Sequence, residues 1–308
     1  MVRKGETGLR KINSDKVFGF VNGLLLVLIL LIMVYPLYFV IIASISDPIQ
    51  VGQGKLVLLP KGFTLDSYKE AFREKQIWVG YRNSIYYTVV GTLFNLFLTV
   101  PTAYALSKKK MRFHGALTFY YVFTMYFGGG LLPYYLLVKE MGLINKPYTL
   151  IVLGGLSVYN VVVTRTYFAN SIPESLYEAT EIDGGSEFDN FFRIALPLSK
   201  PIIAVIALYY AVGRWNDYFT AMIYTAKKAY QPLQTVLRGI LLEGEMTLGR
   251  IDINILSEEE MAYYVRKSFL VESMKYSIIF IASLPMLIAY PFVQKYFVQG
   301  VMIGSVKG

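Results

Sequence analysis

Charge is absent from long stretches of this chain, and that absence limits the fold more than any other feature. Val17 to Ser46 carries no charged residue, and neither does Asn83 to Ser107, His114 to Val138 or Tyr148 to Thr164. Pro201 to Gly213 is a fifth such run, and after Arg214 and Asp217 it continues to Ala226; Tyr276 to Gln294 is the sixth. About 20 apolar residues cross a bilayer. The pattern predicts an all-α integral membrane protein with six transmembrane helices. Composition agrees. Charged residues are 17% of the 308, below the roughly 25% of soluble domains, and mean hydropathy is +0.46. Disorder is excluded by the same hydrophobicity. Zero Cys excludes a disulfide scaffold, Cys-ligated metal and a thiol nucleophile, and one His leaves no multi-histidine metal centre. The first apolar run is about twice the length of a signal-peptide core, so it reads as a retained helix.

The net charge is +9. A nucleic-acid binder needs that charge clustered on a soluble module, whereas basic flanks beside membrane spans set orientation. Arg3, Lys4, Arg10, Lys11 and Lys16 precede the first run, and Lys108-Lys109-Lys110-Met111-Arg112 follows the second. Residues 1–16 therefore read as a cytoplasmic tail and 17–308 as one transmembrane domain. The C-terminus and the 166–200 loop are also cytoplasmic in this reading, and loops of about 47–79 and 227–273 lie outside. No G-x-x-x-x-G-K-[ST] loop occurs, so the chain has no phosphate cradle of its own.

The loop after the fourth run is the most informative. In Ser171 to Gly185, Ser171 can cap a helix, Pro173 suits its first turn, Glu174 takes the third position, and Gly184-Gly185 ends it. Leu176, Ala179 and Ile182 share one side. A second short helix is expected over Glu187 to Ile194. A short helix, a glycine bend and a second helix can fit a groove on a soluble partner, or can be an ordinary surface loop.

Polar groups inside the runs are the other signals. Thr88, Thr92, Asn95, Thr99 and Thr102 fall on one helical face. They serve either as interhelical hydrogen-bonding groups or as a pathway lining, and Tyr159 and Asn160 pose the same choice. Tyr86 and Tyr87 read as belt residues at the membrane interface. Arg214 and Asp217, at i and i+3, can pair within a span. Trp215 or Tyr218 could stack on a sugar ring while Asn216 or Asp217 takes its hydroxyls.

The spacing Glu178-Ala179-Thr180, Gly184, nine residues, then Ile194-Ala195-Leu196-Pro197 resembles the permease signature of ABC importers, with Thr180 in place of Ala. Arg214-Trp215-Asn216-Asp217-Tyr218 looks like the Trp-Asn-Asp/Glu segment of the carbohydrate-uptake branch. Phe127 to Pro133 with Gly142 to Asn145 is similar to permeases for complex oligosaccharides. The chain thus resembles the maltose-type second permease from residue 15 to the end. The resemblance implies a coupling loop at about 171–198, between helices 4 and 5, held in a cleft of a cytoplasmic ATPase through Glu178, Ala179, Thr180, Gly184, Ile194, Leu196 and Pro197. It implies a pathway drawing on Asn95, Tyr159, Asn160, Arg214, Trp215, Asn216, Asp217 and Tyr218. It also implies no catalytic residue, metal or cofactor on this chain; ATP and Mg belong to the ATPase. The implied partners are a second homologous permease, an ATPase dimer, an extracytoplasmic solute-binding protein and an oligosaccharide, with no nucleic acid, in a bacterial cell membrane. A secondary carrier or channel would leave the coupling loop unexplained. An integral membrane glycan enzyme would need convergent acids that the spans lack.

Orientation is directly testable on a chain without cysteine. Lys110→Cys, Thr180→Cys and Ser305→Cys should react with impermeant thiol reagents only from the cytoplasm, and Leu65→Cys and Glu245→Cys only from outside. Labelling of position 180 from outside intact cells would reverse the topology.

Overall fold

The computed structural model describes residues 8–249 and 257–305, and every described element is helical. The first seven residues of the expected tail, residues 250–256 of the expected outer loop, and residues 306–308 lie outside the described residues. The helices group into two compact units.

The first unit takes residues up to Arg73 together with 243–281. Its α1 (Gly8–Ser44) includes Asp15–Ser44, long and apolar enough to cross a membrane, with its apolar side chains exposed along nearly its whole length. After α1 come the short α2 (Pro48–Gly52) and α3 (Asp66–Arg73). The Asp47 carboxylate accepts from the Ile49 N–H at the start of α2, a capping contact that satisfies an orphan donor. Ile42, Ala43, Val51 and Leu56 form a small core with Phe39 and Tyr276 packed against it. Tyr276 comes from α15 (Glu258–Ser305), which also supplies Ser273, whose hydroxyl lies 2.7 Å from that of Ser67 on α3.

The second unit, residues 74–242 and 282 onward, is built on α4 (Lys75–Ser107). The unit continues with α5 (His114–Tyr126), α6 (Leu131–Glu140), α7 (Thr149–Val152), α8 (Val158–Ser171) and α9 (Glu174–Ile182). A turn of helix α10 (Glu187–Asp189) leads through a π-helical turn (Asn190–Ala195) into α11 (Leu196–Leu198) and α12 (Lys200–Asn216). Then come α13 (Phe219–Tyr224), a 3₁₀ turn (Lys228–Tyr230) and α14 (Leu233–Gly249). α12 and α8 both pack along α4. A glycine permits one close approach: a Cβ on Gly80 of α4 would lie 2.9 Å from the Leu233 Cα at the start of α14.

Among the described residues three helices are long and apolar enough to span a bilayer: Asp15–Ser44, Lys75–Ser107 and Glu259–Pro291. Two bent pairs raise the number to five, α5 with α6 at 113° and 187–198 with α12 at 77°. The uncharged run from 148 to 164 is not one helix. It breaks after α7 and resumes at α8. The helix expected over Glu187 to Ile194 is likewise divided, an α turn giving way to a π turn at Asn190. Ser171 does not cap α9; it ends α8, and Pro173 occupies the cap position of α9 without a side-chain bond. Tyr87 is buried with its hydroxyl donating to the Tyr230 carbonyl at 2.9 Å, not at an interface belt.

Gly80→Leu drives a side chain into the backbone of Leu233 and should cost about 1–3 kcal/mol. A lowered unfolding temperature of the detergent-purified protein is the check, with Gly239→Leu, where nothing lies within 4 Å of a Cβ, as control.

Candidate functional site

The loop 171–198 is closed by local hydrogen bonds and packed against the end of α4. The α9 helix ends in two crossed hydrogen bonds, Gly184 N–H to the Glu181 carbonyl (3.1 Å) and Gly185 N–H to the Thr180 carbonyl (2.8 Å). Gly184 has φ +77°. This is the Schellman closure, in which a left-handed residue satisfies the last carbonyls. Thr180 donates its hydroxyl to the Leu176 carbonyl at 3.1 Å. Beneath the helix, Tyr177 is buried in a cluster with Tyr104, Phe168 and Ala195. The Lys108 ammonium lies 3.1 Å from the Tyr177 ring centroid, a cation–π contact. The Tyr104 hydroxyl donates to Glu187 Oε2 at 2.7 Å, tying the end of α4 to α10. Burial pushes the Tyr177 phenol up to about 12, with Glu174 and Glu187 adding to the shift, so the ring stays neutral near pH 7. A reciprocal capping box joins Ser186 and Asp189.

One face of α9 is left open. Glu178 and Ala179 are exposed, Leu176 and Ile182 are exposed apolar residues, and Phe188 on α10 joins them. Ile194 and Leu196 are half-buried against the Tyr177 cluster, and Pro197 is exposed.

The second assembly centres on Arg214 near the end of α12. Its Nη1 donates to the carbonyls of Leu150 and Leu153 (2.8 Å for the latter). Its Nη2 donates to those of Ile151 (3.1 Å) and Gly154 (3.0 Å). Nε donates to Asn95 Oδ1 at 3.1 Å. A guanidinium has five N–H donors, and all five are engaged. Two of the acceptors, the carbonyls of Leu150 and Ile151, are orphans that α7 leaves at its C-terminus, and two, those of Leu153 and Gly154, belong to the turn after it. The positive charge sits at the negative end of the helix dipole. Asn95 completes the lock, its Nδ2 donating to the carbonyls of Gly154 (2.7 Å) and Gly155 (2.6 Å).

Arg214 and Asp217 do not form an ion pair among the described residues. Asp217 lies just past the end of α12, and its Oδ1 accepts from the Thr220 N–H at 3.1 Å, at the start of α13. The i, i+3 reading required both on one continuous helix, and the helix ends between them. Trp215 is buried and donates its indole N–H to the Ala282 carbonyl at 3.1 Å. Asn216 Nδ2 donates to the Val212 carbonyl at 3.0 Å. Tyr218 is exposed beside Arg238, whose guanidinium carbon lies 5.3 Å from the ring centroid. Tyr159 is exposed and Asn160 is buried. On the α4 face, Asn95 and Thr99 bond across helices, the latter at 2.6 Å from the Tyr210 hydroxyl. Thr102 bonds back to Leu98, and the Thr88 and Thr92 hydroxyls have no partner among the described residues.

A cavity of about 460 Å³ opens beside the Arg214 lock. Asn160, Arg214 and Asp217 of the expected pathway set line it; Asn95, Tyr159, Trp215, Asn216 and Tyr218 do not. Its other walls include Tyr134, Tyr209, Tyr210, Phe219 and Tyr224. The sequence reading passed over these aromatics, although Tyr209 and Tyr210 stand one turn before Arg214 on the same helix. Tyr177 was also unread, its signal being the one aromatic of α9. No group of three or more His, Cys, Asp or Glu able to hold a metal occurs among the described residues.

Arg214→Met leaves the carbonyls of Leu150, Ile151 and Leu153 and Asn95 Oδ1 without donors, and should destabilise the protein by about 3–5 kcal/mol, as breaking a buried charged network does. Asp217→Asn keeps a capping oxygen and should cost less than about 1 kcal/mol. Thermal unfolding of the two variants checks this, and equal losses would restore the paired reading.

Comparison with known proteins places the chain. Residues 77–303 match the family described as binding-protein-dependent transport system inner membrane component. Protein LplC of Bacillus subtilis is 38% identical over 297 residues, 96% of each chain. The polygalacturonan/rhamnogalacturonan transport system permease protein YtcP of the same organism is 36% identical over 292 residues, 95% of this chain and 97% of that one. Among solved structures, a bacterial ABC transporter involved in the import of the acidic polysaccharide alginate aligns with a TM-score of 0.81 and 32% identity, covering 96% of this chain and 100% of the other. The chain belongs to the family of inner membrane components of binding-protein-dependent transport systems, and is an ABC transporter permease subunit rather than an enzyme.

Proposed function

We propose that this chain is one of two distinct permease subunits of an oligosaccharide importer, with α9 as its coupling helix. The single observation that carries the reading is α9 itself: a closed, clamped helix with an exposed face of Leu176, Glu178, Ala179 and Ile182. A handle must transmit force without bending, and the Schellman closure and the Tyr177–Lys108 contact oppose bending at both of its attachments. In the proposal Glu178 pairs with a basic or polar group of the ATPase and Ala179 allows close approach. Thr180 is held against its own backbone, and Gly184 turns the chain. Ile194, Leu196 and Pro197 fix the return into α12. ATP and Mg belong to the ATPase dimer. One chain brings one such helix, while two ATPase sites need two, so a second homologous permease completes the assembly. A solute-binding protein delivers the sugar.

Six spans follow if the broken α7–α8 segment is counted beside the three long helices and the two bent pairs, with both termini cytoplasmic. The 460 Å³ cavity is then this subunit's share of the pathway. Its tyrosine rings suit pyranose faces, and Asn160 and Asp217 suit hydroxyls, while Asn95 and Arg214 hold the wall in place. Tyr159, Trp215, Asn216 and Tyr218 flank that level. Support for a sugar comes from relatives whose names specify polygalacturonan/rhamnogalacturonan, galactooligosaccharides and arabinooligosaccharides.

Gly184→Val tests the handle. Nothing lies within 4 Å of a Cβ there, so the substitution acts through backbone strain at positive φ alone. Uptake and sugar-stimulated ATP hydrolysis should fall at least tenfold while membrane insertion and subunit assembly remain. Unchanged uptake at normal membrane levels would refute the coupling role.

A further inference from the structure

Within the first unit, the chain between α2 and α3 doubles back along α1. The Lys61 carbonyl accepts from Asp47 N–H at 2.9 Å, Lys61 N–H donates to Ser46 Oγ at 3.2 Å, and Thr64 N–H donates to the Ile45 carbonyl at 3.0 Å. These bonds set residues 61–64 level with the end of α1. Residues 57 and 58 lie elsewhere along the helix. The Tyr35 hydroxyl donates to the Val57 carbonyl at 3.0 Å, and the Tyr38 hydroxyl donates to the Leu58 carbonyl. Tyr35 and Tyr38 stand nine and six residues before Ser44, which is roughly 13 Å and 9 Å back along a helix rising 1.5 Å per residue. Helical side chains tilt further toward the N-terminus. The tip of the loop therefore reaches back beside the apolar part of α1, a helix with the length and hydropathy of a membrane span.

The tip is apolar and uncovered. Val57, Leu58, Leu59 and Phe63 are each 62–72% exposed. Water does not account for four such side chains in seven residues. Val34, Leu37 and Ile41, beside Tyr35 and Tyr38 in the α1 sequence, are exposed as well. Lys55 and Lys61 flank the tip, both exposed and neither in an ion pair among the described residues. Apolar residues at the centre, tyrosine hydroxyls bonded inward and lysines at the edge form the pattern of a segment at a membrane interface. Two carbonyls of the tip, those of Val57 and Leu58, have the protein donors that carbonyls entering the acyl region need, supplied by Tyr35 and Tyr38.

We propose that residues 55–63 form a lipid anchor. Val57, Leu58, Leu59 and Phe63 enter the leaflet at the C-terminal end of α1, and Lys55 and Lys61 meet anionic phospholipid headgroups. The loop fixes the height of α1 in the bilayer independently of substrate and ATPase.

The absence of cysteine makes the test direct. Leu59→Cys, Phe63→Cys and, as aqueous reference, Lys69→Cys each carry one bimane label on the full complex with cysteine-free partners. The complex is placed in nanodiscs of phosphatidylglycerol and phosphatidylethanolamine. Lipids brominated on the acyl chain should quench positions 59 and 63 at least threefold more than position 69, and aqueous iodide should show the reverse order. In the Tyr35→Phe/Tyr38→Phe double variant, lipid quenching at 59 should fall at least twofold. Equal iodide quenching at all three positions would place the loop in water and overturn the proposal. Exclusion of both quenchers at 59 and 63 would mean that a protein surface covers them, and would overturn it equally.

Discussion

A buried guanidinium needs five acceptors, and the second unit is arranged around providing them to Arg214. Four come from the C-terminal carbonyls of α7 and the turn after it, and the fifth is Asn95 of α4. Three helices that are distant in sequence thereby meet at one side chain. An unpaired ion at such a site would cost several kcal/mol, so the charge and the helix break stabilise each other. Removing the break leaves the ion without acceptors. Removing the ion leaves the carbonyls of Leu150, Ile151 and Leu153 without donors.

The same reasoning explains what the sequence disclosed and what it hid. Uncharged runs mark apolar helices because desolvated charge is expensive, and α1 and α4 follow two of those runs, whereas α15 starts 18 residues before its run, inside the expected outer loop. The end of α9 was also legible, since Gly184 acts through its own backbone, but its start lies two residues later than a Ser171 cap predicts, with Pro173 at the cap. Breaks inside apolar runs were hidden. Hydropathy counts side chains, whereas the break between α7 and α8 depends on an arginine about 60 residues away. Gly154-Gly155 marked the place, but two glycines alone do not distinguish a kink from a packed helix. Arg214 and Asp217 misled for the same reason. Their spacing allows a pair only if the helix continues, and it ends at Asn216. The cavity tyrosines carried no signal in a chain with 26 of them.

The loop 171–198 shows how a polar segment can be stiff without a core of its own. Tyr177 inserts into the unit beneath it, Lys108 covers the ring, and Glu187 receives the Tyr104 hydroxyl. Each contact is modest. Together they join α9 and α10 to the ends of α4 and α8.

A saturated guanidinium also has a meaning for charge selection. Arg214 is the one cation among the residues lining the cavity, and a sugar carboxylate arriving there would find none of its N–H groups free. The remaining charged side chain in that wall is Asp217, which repels anions. In the proposed pathway this wall therefore offers a sugar ring faces and hydroxyl partners, and it offers a carboxylate the charge of Arg214 but no free N–H donor.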